Sequence, residues 1–401
     1  MRATGPSTTG DRIDLPVLDP AFKADPHSRY AQWRAQGRTI VPIRLPTGLE
    51  AWLVIGYDAA RELLNDPRLS KSDPGGSASA AHRLFRHMLT LDPPEHTRLR
   101  SIIAREFTVR RVALLRPRIR EIVVRLIDEA SRAETADLMQ ALALPLPLQV
   151  ICELIGMPAG DDALVLRWSR RLAAADLDEP ADVPGIADEI HGHLARLAEG
   201  KRRAADDSLL SGLVAAQDRG ELSGTELTSM TFLLLSAGHE TTANLIGNGV
   251  LALLRNPAQW SALCADGDHA RAIVEEVLRF DSPLEVSTIR HATSEIELGD
   301  VRIRPGDTVF IGLAAANRDP RRIERAGEFD PGRHPAAAHL AFGHGVHFCV
   351  GATLARAEGE TAFVELSRRF PRLALDVPLD ALEWTPGLIM RGPLRLPVRF
   401  N

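Results

Sequence analysis

The sequence predicts a mainly α chain with a minor β portion, and three observations carry the prediction. From Asp58 to Gln217 apolar residues recur at helical spacing, broken by Pro and Gly clusters at 73–76, 145–147, 156–160 and 184–185. A second stretch, Leu222 to Leu254, is apolar on nearly every face, as suits a helix through the middle of a large protein. Short β-type runs are confined to residues 39–57, to 286–314 and to the end of the chain. With 45% hydrophobic and 25% charged residues, the 401-residue chain is neither collagen-like, coiled-coil nor wholly disordered. No repeat, low-complexity block or Gly/Ser linker marks a boundary, so a single domain over 1–401 is expected.

Taken in order, residues 1–20 read as a loose, Pro-containing lead. TIVPIRL and EAWLVIGY within 39–57 flank Pro-Thr-Gly, which is a hairpin signal. Residues 73–90 form an irregular connection, a usual place for function. Ser223 and Glu226 make a capping box for the long helix, and Asn256-Pro257 ends it. Its centre is interrupted by the polar run Ser236-Ala-Gly-His-Glu-Thr-Thr242. Asp268 starts a shorter helix to Phe280, strands follow at 286–303 and 307–314, and a Pro/Gly-rich meander spans 317–348. A helix from Ala352 to Arg369 precedes short strands that end at Phe400.

The formal charge of −5 argues against a nucleic-acid scaffold. Only three of the 48 basic residues are lysine, so arginine, which binds planar anions bidentately, carries nearly all the positive charge. Cys152, Cys264 and Cys349 lie far apart with no CxxC, which excludes a disulfide framework and a multi-cysteine zinc module. The N-terminus lacks the apolar core of a secretory signal, and no run reaches the roughly eighteen apolar residues of a membrane span. A cytoplasmic protein is expected, with no membrane partner.

The chemistry concentrates in AFGHGVHFCVGATLAR (341–356). Cys349 sits among Gly343, Gly345 and Gly351 just before a helix, whose positive end favours a thiolate. Such a thiolate can be a nucleophile, a metal ligand or a haem ligand; for Cys152 and Cys264, in apolar helical runs, a plain core role is expected. His339, His344, His347 and Cys349 are also close enough in sequence for a zinc cluster, although zinc sites of this kind usually use paired cysteines.

The segment resembles the signature of the cytochrome P450 family, Phe-x-x-Gly-x-His-x-Cys-x-Gly, met by Phe342, Gly345, His347, Cys349 and Gly351 and followed by Leu354-Ala-Arg356. The resemblance implies that Cys349 is the axial ligand of a haem b iron, where an electron-rich sulfur favours O–O cleavage. Four companions stand in the family's order. AGHETT (237–242) resembles its oxygen-activation motif, with Glu240 and Thr241 as the acid–alcohol pair that delivers protons, and Ala237 and Gly238 lying against the flat cofactor. Glu276-Val-Leu-Arg279 resembles its buried ExxR pair, with Arg333 as third partner and a structural role. His96 and Arg100, four apart on one helical face, with Arg290 and His347, resemble its haem-propionate contacts. AANRDP (315–320) resembles a common turn of the family, although Arg321 to Glu328 departs from the pattern usual after that turn.

The resemblance runs from about Ala21 to Phe400 and implies the triangular helical prism of that fold, with haem between the long central helix and the Cys349 loop. It implies a monooxygenase that inserts one atom of O2 into a C–H bond or double bond, with electrons from NAD(P)H through separate proteins, a ferredoxin and its reductase. No reductase segment is expected in the chain, and a monomer is. Arg98 and Arg105 are expected to help dock an acidic ferredoxin. A non-enzymatic haem sensor would not need Glu240 and Thr241.

The N-terminal half most resembles bacterial members that tailor macrolides and other polyketides, while oxidative coupling or multi-step oxidation of an aromatic or peptide natural product stays open. By that resemblance substrate contacts come from 75–90, about 160–190, Leu233 to Ala237, Leu284 to Thr288 and Leu388-Ile389. Phe85, Met88, Leu233, Leu234, Leu284, Val286 and Ile389 are the lining residues expected, and Glu285 is expected to pair with a cationic or hydroxylated group of the substrate.

Overall fold

The computed structural model describes residues 12–72, 80–175, 182–333 and 339–400. The chain forms two compact units, Met1–Lys71 with Val123–Ala143 and Thr241–Asn401, and Ser72–Ile122 with Leu144–Glu240.

The first unit holds the strands β1 (Ile13–Asp14), β2 (Ile40–Arg44), β3 (Glu50–Val54), β4 (Leu69–Ser70), β5 (Thr135–Asp137), β6 (Arg290–Ala292), β7 (Ile296–Leu298), β8 (Val301–Ile303), β9 (Thr308–Ile311), β10 (Ala374–Leu375) and β11 (Pro397–Arg399). Six of them make one sheet in the order β1-β2-β3-β9-β6-β4. The expected hairpin is there: β2 and β3 pair antiparallel with Ile43 opposite Ala51, and Gly48 supplies the left-handed residue of the turn (φ 82°). Alternation along β3 and β9 sends Trp52, Val54, Val309 and Ile311 into one apolar cluster and Leu53 and Phe310 into another across the sheet. The Trp52 indole, too polar to bury bare, donates to the Asp307 carboxylate at 2.9 Å. Helices Ala270–Phe280 and Ala352–Arg369 belong to this unit, as do β10, β11 and β5, which form a three-stranded sheet.

In the second unit every regular element among the described residues is helical, including Glu95–Ala104, Pro145–Ile155, Asp161–Ala175, Val183–Arg203 and Leu209–Asp218. The ends are set by local chemistry: Ser208 and Asp182 accept from backbone amides at two starts, and Gly156 closes Pro145–Ile155 in the left-handed conformation. The long helix runs from Gly224 to Arg255. Its capping box is reciprocal, the Ser223 amide donating to Glu226 at 2.8 Å and the Glu226 amide to Ser223 Oγ at 3.2 Å.

Four local expectations need correction. The loose lead ends early, because Leu15 and Val17 are buried in the cluster against Ile43 and Leu53, and Asp19 caps the helix Pro20–Ala24. The polar run 236–242 does not interrupt the long helix, and the Ser236 hydroxyl bonds back to the Leu233 carbonyl at 3.2 Å. The helix expected from Asp268 starts at Ala270 after a 3₁₀ turn, since Asp266 caps the Asp268 amide. Of the strand 307–314, residues Leu313–Ala316 turn instead into a short helix after Gly312, whose Cβ would stand 2.9 Å from the Val54 carbonyl. Residues 75–79 and 176–181, expected to flank substrate, lie outside the described residues.

Candidate functional site

In the first unit the Cys349 loop is shaped by glycine. Gly343 and Gly345 hold φ of 73° and 74°, which an L side chain rarely adopts, and a Cβ on Gly345 would also meet Asn65 Oδ1 at 2.4 Å. The Cys349 amide donates to the Phe342 carbonyl at 2.9 Å, closing the loop, and helix Ala352–Arg369 begins three residues on. Cys349 is exposed, as are its neighbours Val346 and Phe348. Phe342 packs edge-on to Phe348 and beneath the Arg356 guanidinium. His347 stands in the short 3₁₀ turn Gly345–His347, half-buried, and Gly351 is the residue just before the helix. Arg290 is buried on β6.

The same unit holds a group of buried charges. Glu276 and Arg279, three apart on one helix, form a two-bonded pair at 2.7 and 2.8 Å, and Arg333 Nε reaches the same carboxylate at 3.3 Å. Arg279 also donates to the carbonyls of Asn317, Ala326 and Glu328, so one guanidinium ties the meander to the helix. Arg325, in the stretch that departs from the family pattern, takes a positive φ of 47°. Glu275, the chain neighbour of Glu276, accepts from Arg356 and bonds His339; burial pushes its carboxyl up, but those two partners outweigh it and hold it down at about 2. His339 is thus engaged with a carboxylate, and among the described residues no group of three or more His, Cys, Asp and Glu could hold a metal ion.

In the second unit His96 is buried and Arg100 half-buried on helix Glu95–Ala104, one turn apart. Ala237 is exposed near the middle of the long helix, between half-buried Ser236 and Gly238, and Glu240 is half-exposed one turn on. Gly238 differs from expectation. The direction its side chain would take points at Ile151 Cγ1, 3.2 Å away, so the glycine lets one helix pack on Pro145–Ile155. Thr241, which follows Glu240 in the chain, is half-exposed. Phe85 is exposed and packs edge-on to Phe232, while Met88, Leu233 and Leu234 are buried. Arg98 and Arg105 pair with Glu226 and Glu221 in the same unit, and both guanidinium groups stay exposed.

Two expected substrate contacts in the first unit are corrected. Glu285 is buried, with Lys23 Nζ at 2.5 Å and the Tyr30 hydroxyl donating at 2.5 Å. Both carboxylate oxygens are therefore taken by the protein. Val286 is fully buried in the cluster with Leu53 and Phe310. The segment is not a regular strand: Leu284 is half-buried in an isolated bridge with Met390, Val286 lies in the core cluster, and Ile389 is exposed. Sequence reasoning missed Lys23, Tyr30, Asp281 and Arg391, the last two of which pair at 2.5 Å. A signal existed: lysine is so rare here that its three positions invited attention, and two of them, Lys23 and Lys71, are buried.

The residues present fit a haem. A lone exposed thiol on a glycine-shaped loop offers the soft anionic ligand, Val346 and Phe348 offer an apolar face to a flat ring, and buried Arg290 offers a cation for a carboxylate. Fold and loop together define a haem-thiolate oxidoreductase. A family model described as Cytochrome P450 matches residues 182–396. "Cytochrome P450 monooxygenase PikC" of Streptomyces venezuelae is 46% identical over 412 residues, covering 100% of this chain and 98% of that one. "6-deoxyerythronolide B hydroxylase" of Saccharopolyspora erythraea is 38% identical, covering 95% and 97%. The solved structure of the tirandamycin C-bound P450 monooxygenase TamI superposes with a TM-score of 0.87 at 40% identity, covering 97% of this chain and 100% of that one. The chain belongs to the cytochrome P450 family. It is a monooxygenase with haem as cofactor, O2 as cosubstrate and electrons from redox partners, acting on a small molecule. No helix among the described residues is long and apolar enough to cross a membrane.

Proposed function

We propose that the chain oxidises a medium-to-large apolar natural product, a macrolide or another polyketide, by hydroxylation or epoxidation. The observation that carries the reading is the exposed Cys349 thiol on a loop that only glycines at 343 and 345 can form. The relatives' own names, a hydroxylase of 6-deoxyerythronolide B and a monooxygenase bound to tirandamycin C, support the substrate class. When bound, haem supplies the redox chemistry that splits O2, one atom going to substrate and the other to water.

The chain's own residues do the rest. Cys349 would hold the haem iron through its thiolate. Arg290, His347, His96 and Arg100 are the residues that would hold the haem carboxylates. Phe342, Gly345 and Gly351 shape the ligand loop, and Ala237 leaves a flat surface on the helix. Glu240 holds the proton that Thr241 passes on, because an alcohol relays without itself gaining charge. Glu276, Arg279 and Arg333 keep the meander and ligand loop in place. Phe85, Met88, Leu233, Leu234, Leu284 and Ile389 orient the substrate and exclude water. A separate ferredoxin and ferredoxin reductase supply electrons to a monomeric, cytoplasmic enzyme.

The test is the absorption spectrum of the reduced protein with and without carbon monoxide. A strongly red-shifted Soret band that is lost in Cys349→Ala is expected, followed by a ferric spin shift with members of a macrolide panel. A band indifferent to Cys349 overturns the ligand, and spin shifts only with small aromatic or peptide compounds overturn the substrate class.

A further inference from the structure

His239 is buried in the long helix, and a buried imidazole must satisfy both nitrogens. Nδ1 lies 2.7 Å from the Leu235 carbonyl, one turn back. A carbonyl only accepts, so Nδ1 carries hydrogen and Nε2 of the neutral ring has the lone pair. That lone pair faces two groups. Ser169 Oγ, half-buried on helix Asp161–Ala175, is 3.3 Å away, and Glu240 Oε1 is 3.9 Å away. Among the described residues Glu240 is the one charged group within 4 Å of the ring. A histidine that served packing alone would be closed off by backbone and hydroxyl groups; this one joins a half-buried hydroxyl to a carboxylate.

We propose that Ser169 and His239 form the path by which solvent protons reach Glu240, a path that rests on Glu240 being the proton-holding acid. The Ser169 hydroxyl gives its proton to Nε2 as it takes one from a hydronium ion of the solvent, which is left as water. The imidazolium then gives the Nε2 proton to the Glu240 carboxylate, and the ring returns to its starting tautomer. One proton enters and one leaves, no electron moves, and Nδ1–H stays on Leu235 throughout, so the ring never has to flip. The 3.9 Å gap is closed by one water or by rotation of the half-exposed Glu240. His239 touches neither substrate nor cofactor in this scheme; it is a positioning residue that acts through Glu240.

The experiment compares Ser169→Ala, Ser169→Thr and His239→Phe as holoproteins. Three readouts are taken: reductant-driven turnover in H2O and D2O, hydrogen-peroxide-driven turnover, and the ¹⁵N resonances of the His239 ring. Peroxide brings its own protons, so that route bypasses the path. The expected result is a reductant-driven rate lowered about tenfold in His239→Phe, less in Ser169→Ala, with a raised solvent isotope effect and peroxide-driven turnover within about twofold of the parent. Ser169→Thr rescues Ser169→Ala, and Ser169→Ala moves the Nε2 resonance but not Nδ1. Unchanged reductant-driven rate and isotope effect in His239→Phe overturn the path, as does equal loss by both routes, which marks a structural residue. Absence of the red-shifted carbon monoxide band in the parent overturns the monooxygenase reading and the path with it; a normal band with indifferent variants overturns the path alone.

Discussion

Lys23 Nζ lies 2.5 Å from Glu285 Oε2, and both side chains are almost wholly buried. The same ammonium donates to the carbonyls of Gly387 and Met390, while the Glu285 amide donates to the Ile389 carbonyl at 2.8 Å. A lysine thus spends its three donors fastening the 387–390 turn to the segment 284–286. Burial lowers the lysine's pKa, and Glu285 offsets part of that. Lys23→Met leaves the carboxylate buried and unpaired and is expected to cost about 3–5 kcal/mol in chemical denaturation, with Glu285→Gln costing less because Tyr30 can still donate. Lys23→Met combined with Glu285→Leu is expected to recover much of the loss. Equal and additive losses would contradict the pairing.

Arg279 serves three carbonyls and one carboxylate with a planar fork. Lysine has a single tip and cannot span them, so Arg279→Lys is expected to destabilise by at least about 3 kcal/mol. Thermal melting and the haem content of the purified protein check it.

Glu275 gives the first unit a specific acid sensitivity. Its carboxyl is held at about 2 against an ordinary value of 4.5, so the group stabilises the fold above pH 4.5. That contribution, on the order of 3 kcal/mol, is lost as the pH falls from 4.5 through about 2. Glu275→Gln is expected to flatten the stability profile over this window and to lower stability at pH 7. Denaturant titrations at stepped pH measure both effects.

Gly249 faces Phe363, with a substituted Cβ falling 2.1 Å from ring atom Cζ. The ring is fully buried and cannot swing away, so Gly249→Ala is expected to cost about 1–3 kcal/mol despite alanine's better helix propensity. A rise in melting temperature would show that the helix propensity wins.

Cys152 is buried and its thiol is pushed up to about 12 by desolvation. It should resist alkylation at pH 8 in the native protein and react only on unfolding, as mass spectrometry of iodoacetamide-treated protein reads directly.

Much of the site is legible in the amino-acid sequence, because its chemistry is local. The Cys349 loop is written in a few consecutive residues whose glycines answer backbone demands, and the capping box at Ser223 and Glu226 needs only a spacing of three. The 276–279 pair is visible as a spacing, but spacing cannot say whether it is buried. Its third partner, Arg333, stands 57 residues from Glu276 in the chain. Glu285 misleads for the same reason: its partners are 262 and 255 residues away, and a lone glutamate beside an expected pocket looks available until they are in place.

By itself the sequence determined the helical class, the position and ends of the long helix, the family, and the ligand loop, all of which follow from periodicity, capping and glycine placement over short spans. Only the tertiary structure decided which charges are paired inside, that Gly238 serves helix packing against Ile151, that Val286 belongs to the core, and that His239 stands between Ser169 and Glu240. The physical reason is that local conformation depends on neighbours in the chain, whereas burial and pairing depend on groups brought together across hundreds of residues. Desolvation, which fixes what a carboxylate or an imidazole can do, exists only once those groups have met.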